Sequence, residues 1–93
     1  MLLKGYDAYY DGYEENGKAV PGYRDLIDEL SGEFPLGQPI IGEQKQKDFI
    51  KLYGNILRLK NILSAFDQFA GNEILPERDF QDYQSVYLDL YQA

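Results

Sequence analysis

Apolar side chains recur along this chain with the period of an α-helix in four segments. In the first segment they return every three or four residues, which predicts a helix from Leu2 to about Tyr13. Asn16-Gly17 follows and predicts a tight turn, with room for a small hairpin because this dipeptide suits a type I′ turn. The apolar positions of this first helix are Leu2, Leu3, Tyr6, Tyr9, Tyr10 and Tyr13, of which Leu3, Tyr6, Tyr10 and Tyr13 form the helical stripe.

A short second helix is predicted between Pro21-Gly22 and Gly32, which stands where a helix commonly ends on glycine. The following connector, residues 34–42, is interrupted by proline and glycine but is too apolar for a loose linker. We therefore expect its apolar residues to be pinned across the helices. The face of the second helix is Tyr23, Leu26, Ile27 and Leu30, and the apolar residues of the connector are Phe34, Leu36, Ile40 and Ile41.

The third segment predicts a long helix from about Glu43 to Ala70, stopped by Gly71-Asn72. At the usual helical rise it would be roughly 42 Å long. More than half of its circumference is apolar near the centre, so neighbours should contact it from two or more sides. Its apolar positions are Phe49, Leu52, Tyr53, Ile56, Leu57, Leu59, Ile62, Leu63 and Phe66.

The last helix opens at Pro76, with Glu77 and Asp79 near its positive end. Together these segments predict an all-α domain in which three to four helices pack around one long central helix, about Glu43 to Ala70. The whole chain, residues 1–93, is expected to be a single helical domain. The predicted buried face of the last helix is Phe80, Tyr83, Val86, Tyr87, Leu90 and Tyr91.

The amino-acid composition excludes several classes of binding site and catalytic group. The chain has 16 acidic against 9 basic residues, for a formal net charge of −7, which argues against a general nucleic-acid surface because phosphates need Lys and Arg. It has no Cys and no His, which excludes disulfides, thiol nucleophiles and imidazole bases. No apolar run approaches the ~20 residues of a membrane span. We therefore expect a cytoplasmic protein with no membrane partner.

Motifs for catalysis are absent or weak. There is no phosphate-binding Gly-x4-Gly-Lys loop and no Gly-x-Gly-x-x-Gly. The segment that begins at Asp11 superficially suggests a calcium loop, but Asn16 and Gly22 occupy the positions where Gly and a bidentate Glu are needed. Glu43-Gln44-Lys45 has the spacing found at the end of many nuclease sites, yet it lacks the second, upstream carboxylate. No catalytic residue, metal ligand or cofactor site is predicted.

A basic strip is the one candidate interaction site. Lys47, Lys51 and Arg58 fall within about 40° of one another on the long helix. They could contact a DNA backbone or an acidic partner, or they could simply be the charged residues of a helix face that is exposed to water. The second interpretation is favoured because most surface charge runs do no more than that.

Two charged residues and three tyrosines have structural interpretations. Lys60 and Asp67 point near the apolar centre line of the long helix, so each should meet a partner on another helix or emerge where the core ends. The set Tyr83, Tyr87 and Tyr91 could stack against bases. Core packing is favoured instead, with each hydroxyl near water.

The residue strings resemble the C-terminal helical region of the R (restriction and motor) subunit of type I restriction–modification enzymes. The strongest strings are FIKLYGNILRLKNIL at residues 49–63, FDQF at 66–69, and residues 78–91. The stretches 6–23 and 26–34 are similar to the preceding part of that region. In the family, a full subunit also has a nuclease domain and two motor domains that hydrolyse ATP and pump DNA.

The resemblance implies a non-catalytic coupling domain that joins the motor to the methyltransferase core, and a chain that is part of a much larger subunit. Its partners would be other domains of that subunit and the methyltransferase and specificity core, with DNA contacted weakly or indirectly. The parent would be an ATP-dependent, site-specific deoxyribonuclease that uses ATP and Mg²⁺. The resemblance implies that this chain itself binds neither ATP nor Mg²⁺. The alternative is a free-standing helical protein-interaction module.

Overall fold

The structure is a computed structural model, and it describes residues 5–67 and 74–92. Within those ranges it contains four helices and one two-stranded sheet. The predicted all-α class with a long central helix is confirmed, with a small hairpin added. The elements are α1 (Tyr6–Asp11), β1 (Tyr13–Glu15), β2 (Lys18–Val20), α2 (Tyr23–Glu33), α3 (Glu43–Leu63) and α4 (Glu77–Gln92).

The hairpin forms where the sequence predicted a turn. β1 and β2 pair antiparallel, with Tyr13 opposite Val20. Asn16 and Gly17 between them both have left-handed φ angles, +54° and +78°, as a type I′ turn requires. The prediction that the first helix reaches Tyr13 is wrong. Gly12 ends α1 with a φ of +95°, a conformation that redirects the chain into β1.

A close backbone crossing joins α1, the hairpin and α2. A Cβ atom added at Gly22 would lie 2.5 Å from the Tyr10 carbonyl oxygen and would also collide with the Gly12 nitrogen. At Gly12 it would lie 2.8 Å from the Val20 carbonyl oxygen. The two glycines therefore allow the backbone segment that leaves α1 to contact the backbone segment that enters α2.

α2 supplies one wall of the core. Its four apolar residues are all buried, as predicted: Tyr23, Leu26, Ile27 and Leu30. The predicted helix end at Gly32 is wrong, because α2 continues to Glu33 and closes with a hydrogen bond from the Phe34 N–H to the Leu30 carbonyl at 2.9 Å. Gly32 is an interior helical residue with nothing within 4 Å of an added Cβ.

α3 is the spine of the domain, since it packs against α1, α2 and α4. It is shorter than predicted: it ends at Leu63, and residues 64–67 turn away, whereas the predicted end at Ala70 lies outside the described residues. The Ser64 hydroxyl donates to the Asn61 carbonyl at 2.8 Å, and the N–H groups of Ala65 and Phe66 bond three residues back. A side chain that competes for helical carbonyls weakens the helix, and the tighter bonds end it.

The connector between α2 and α3 is only partly pinned. Phe34 is buried and packs edge-on against Phe49, with ring centroids 5.2 Å apart, and Ile40 is half-buried. Leu36 and Ile41 are exposed, by 39% and 79%, so the prediction that they pin the connector is wrong. Adjacent residues of an extended segment point to opposite sides, which prevents Ile40 and Ile41 from both facing the core.

Replacing Gly22 with alanine should destabilise the domain by more than about 2 kcal/mol, because the added Cβ meets backbone atoms that cannot rotate away. Thermal unfolding followed by circular dichroism measures this. Gly32→Ala is the matched control. It adds the same methyl group in open space inside α2 and should raise stability by about 0.5–1 kcal/mol. Equal effects of the two substitutions would contradict the close crossing.

Candidate interaction surface

The predicted basic strip lies on the exposed side of α3. Lys47, Lys51 and Arg58 are all exposed, and over eleven residues the strip extends along about 16 Å of helix. The structure therefore places the three side chains on one face, as the spacing predicted. Lys47 pairs with Glu43 one turn earlier, Nζ to Oε1 at 3.2 Å. Both side chains are largely exposed, so the pair contributes little stability.

Acidic side chains surround the middle of that strip. Lys51 borders a cleft between α2 and α3 with a volume of about 380 Å³. Glu29, Glu33 and Asp48 line the same cleft, together with Lys45, whose Nζ lies 3.7 Å from Glu33 Oε2. Three carboxylates against two ammonium groups leave no excess of positive charge for a phosphate. Glu43-Gln44-Lys45 thus contributes to two surface ion pairs, with Lys47 and Glu33.

Lys60 finds its partners on another helix, as predicted. Its Nζ lies 3.5 Å above the ring of Phe80 and 4.0 Å from Glu77 Oε2, both on α4. The side chain is 22% exposed, so the cation–π contact is partly desolvated and stronger than a surface one. Asp67 is exposed in the turn after α3, where the core ends. Both interpretations of these charges are confirmed.

Tyr53 is the point where α3 and α4 are joined most specifically. It is fully buried, and its hydroxyl donates to the Phe80 carbonyl at 3.0 Å. Its ring stacks parallel to Phe49, with centroids 5.8 Å apart, and lies 5.2 Å from Tyr87. Burial raises the pKa of the Tyr53 phenol well above its ordinary value, and nearby Tyr23, Glu77 and Tyr87 raise it further. The hydroxyl stays protonated, so it remains a donor.

The tyrosine stripe of α4 divides along its length. Tyr83 is buried, and burial raises its pKa against the opposing effect of a hydrogen bond with Ser31 of α2. Tyr87 is half-buried, and Tyr91 is 65% exposed while stacking on Tyr87 at 5.5 Å. The core prediction is confirmed for Tyr83 and wrong for Tyr91, which lies beyond the reach of α3.

The described residues show neither a metal-binding cluster nor a membrane-spanning helix. Across residues 5–67 and 74–92, no group of three or more acidic side chains is arranged to hold a metal ion. The calcium-like segment that begins at Asp11 enters the β1–β2 hairpin. None of the helices in the described part of the chain is both long enough and apolar enough to cross a membrane.

Comparison with known proteins identifies the setting of this scaffold. All 93 residues, 1–93, match the family model described as "Type I restriction and modification enzyme - subunit R C terminal". The chain belongs to this family. This match confirms the resemblance of the residue strings to the R subunit. We therefore call the protein the R-subunit domain.

Sequence reasoning missed two features of the R-subunit domain. It assigned Tyr53 only to an apolar face and gave no sign that its hydroxyl meets a carbonyl of α4. It also placed Val86 and Tyr91 in the core. At about 100° per residue, these two lie at opposite edges of the apolar arc of α4, roughly 140° wide. A single neighbouring helix buries the centre of such an arc and leaves its edges exposed, so the width of the arc was an available signal.

Tyr53→Phe should destabilise the R-subunit domain by about 1 kcal/mol, the usual net value of a buried hydrogen bond. That corresponds to a fall in Tm of about 4–8 °C for a domain of this size. Tyr91→Phe is the matched control, because it removes a hydroxyl from an exposed ring and should leave Tm unchanged. A Tyr53→Phe variant as stable as the parent would contradict the proposed join between α3 and α4.

Stability should fall at alkaline pH. The folded pKa values of Tyr53, Tyr6 and Tyr83 lie above the unfolded value of 10.0, chiefly because burial disfavours the phenolate. Their contribution is complete below pH about 10 and is lost as pH rises above it, by up to about 1.4 kcal/mol per pH unit for the fully buried Tyr53. Urea unfolding between pH 8 and 11.5 measures the slope, which should be smaller in Tyr53→Phe. An equal slope in both proteins would show that Tyr53 does not cause the pH dependence of the stability.

Proposed function

We propose that this chain is a non-catalytic coupling domain of the R subunit of a type I restriction enzyme, where it links the motor to the methyltransferase core. The observation that carries the proposal is the match of residues 1–93 to the C-terminal region of that subunit. The chemistry of the chain agrees with it: there is no Cys, no His and no phosphate-binding loop. The 93 residues would then form one domain of a much larger multidomain protein.

A mechanical role suits the packing. Transmitting position between large domains needs an element that does not deform, and close-packed aromatic interiors are stiff. In this domain the ring of Tyr83 on α4 lies 6.4 Å from the ring of Phe49 and 6.5 Å from that of Tyr53, both on α3. The Tyr53–Phe80 hydrogen bond adds a directional restraint on α4. We infer that α3 and α4 move as one body.

The reactive steps belong elsewhere in this proposal. ATP and Mg²⁺ would be bound by other domains of the R subunit, because the sequence of this chain offers neither a phosphate loop nor a matching carboxylate set. DNA would be contacted weakly or indirectly, since the Lys47–Lys51–Arg58 strip has Glu43, Glu29 and Asp48 beside it. We place the protein in the cytoplasm, with the DNA on which the enzyme acts.

Removing residues 1–93 from the R subunit should abolish stable assembly with the methyltransferase core, because the proposed link is gone. Pull-down of the R subunit by the tagged methyltransferase, with and without this region, measures this. DNA-independent ATP binding should survive the deletion. Wild-type recovery of the shortened subunit would overturn the coupling role, and so would a measurable ATPase rate in the purified 93-residue chain.

The triple variant Lys47→Glu, Lys51→Glu, Arg58→Glu is the matched control within that assembly. A coupling domain with a solvated strip should still be recovered with the methyltransferase. A direct DNA-contacting arm would instead show strong DNA binding at moderate salt that the triple variant loses. The reading frame upstream of Met1 distinguishes the free-standing module, which would lack a motor in the same chain.

A further inference from the structure

Exposed apolar side chains are concentrated in two segments of this domain. Among the described residues, every large apolar side chain that is exposed lies either in the connector between α2 and α3 or in the last two turns of α4. None lies in α1, α2 or α3. The five are Leu36, Ile41, Val86, Leu88 and Tyr91. Scattered apolar residues need no explanation, but a concentration of them marks a surface built for contact.

The two segments meet in space. Leu36 of the connector and Val86 of α4 line the same small hollow, which has Phe49 and Tyr83 among its walls. Ile41 lines an adjoining hollow, and both hollows share Phe34, Pro35, Gln38 and Ile40. Leu36, Ile41 and Val86 therefore line two adjoining hollows. Leu88 and Tyr91 lie about 160° and 140° around α4 from Val86 and are not part of this surface. We call Leu36, Ile41 and Val86, with the acidic residues beside them, the connector–α4 surface.

The acidic residues beside it are Asp82 and Asp89. Both are exposed, and they stand four residues before and three residues after Val86, on the same side of α4. Along the helix they are about 10 Å apart. Residues 34–42 have no charged side chain, and residues 79–92 contain three Asp but no Lys or Arg. Lys45 lies at the far edge of the surface, where Glu33 pairs with it.

This charge pattern selects the occupant. A second copy of the chain would bring aspartates against aspartates, which like-charge repulsion disfavours. Nucleic acid and anionic lipid are repelled for the same reason. An apolar hollow beside a helix, flanked by carboxylates about two turns apart, is complementary to an amphipathic helix with Lys or Arg at a matching separation.

We propose that the connector–α4 surface docks a basic amphipathic helix of the methyltransferase core, the partner to which the proposed function links this domain. This rests on the proposed coupling function and adds to it the surface and the chemistry of the partner. Apolar residues of the docked helix fill the hollow between Leu36 and Val86. Its basic residues face Asp82 and Asp89.

Photo-crosslinking in the assembled complex tests this. A photoreactive amino acid replaces Val86 in the R subunit, and a second protein has it at Ala19, an exposed residue of β2. Position 86 should give several-fold more crosslinked product than position 19. The captured peptide, sequenced by mass spectrometry, should have apolar residues at helical spacing flanked by Lys or Arg. Equal yields at the two positions, a captured segment that belongs to the R subunit itself, or a captured segment without basic residues would overturn the proposal.

Charge reversal provides the second measurement. Asp82→Lys with Asp89→Lys should reduce crosslinking from position 86 by about tenfold, more at low salt than at high salt. Glu14→Lys with Glu15→Lys changes the net charge by the same amount on β1 and should have no effect. If both pairs act equally, the surface is not the site and the proposal fails.

The coupling function and the docking surface are contradicted by different experimental results. Suppose that deleting residues 1–93 abolishes assembly while position 86 crosslinks no better than position 19. The coupling function then stands and the connector–α4 surface is excluded. Suppose instead that the shortened subunit assembles normally while position 86 captures a basic helix. The docking surface then stands and its role in coupling is excluded.

Discussion

The hydrogen bond from the Tyr53 hydroxyl to the Phe80 carbonyl determines how α4 lies on α3. Apolar contacts alone allow a helix to slide or rotate on its neighbour at small cost, because they are not directional. A buried donor is different, since leaving it without an acceptor costs about 1–3 kcal/mol. The fully buried Tyr53 has its acceptor 3.0 Å away, so one rotation and one register of α4 are favoured over the others. The cation–π contact of Lys60 with Phe80 restrains the same turn of α4.

That restraint has a consequence for the rest of α4. The first two turns are held by Phe80 and Tyr83, both buried. In the last two turns Tyr87 and Leu90 still pack against the core, while Val86, Leu88 and Tyr91 are exposed. The helix is therefore fixed at one end and presents apolar surface at the other. Such an arrangement suits the proposed coupling role, because the proposed contact surface shares an element with the rigid core.

The net charge of the domain affects which molecules can bind to it more than it affects the fold. With a formal charge of −7, the domain repels phosphate at long range. Among the described residues, Lys45, Lys47 and Lys60 each lie within 4.0 Å of a carboxylate oxygen. The same charge favours basic protein segments and speeds their encounter. In the proposed coupling role, an acidic scaffold would organise neighbouring domains without competing with them for DNA.

The sequence by itself determined the all-α class, the core of α2 and the central place of α3. It also determined the turn at Asn16-Gly17, because these features follow from apolar period and from local backbone preference. It also placed Lys47, Lys51 and Arg58 on one face, since helical spacing alone fixes that. The residue strings determined the family, which no periodicity could have supplied.

Only the tertiary structure decided the remainder. The end of α3 at Leu63 depends on a side chain competing for a carbonyl and on Phe66 packing edge-on against Tyr6, 5.7 Å away. The exposure of Ile41 and Tyr91 depends on how far one neighbouring helix covers an apolar arc. The acceptor of the Tyr53 hydroxyl lies 27 residues away in the chain. A sequence pattern records which residues can be buried together, whereas the chosen partner, register and edge arise from packing between elements distant in sequence.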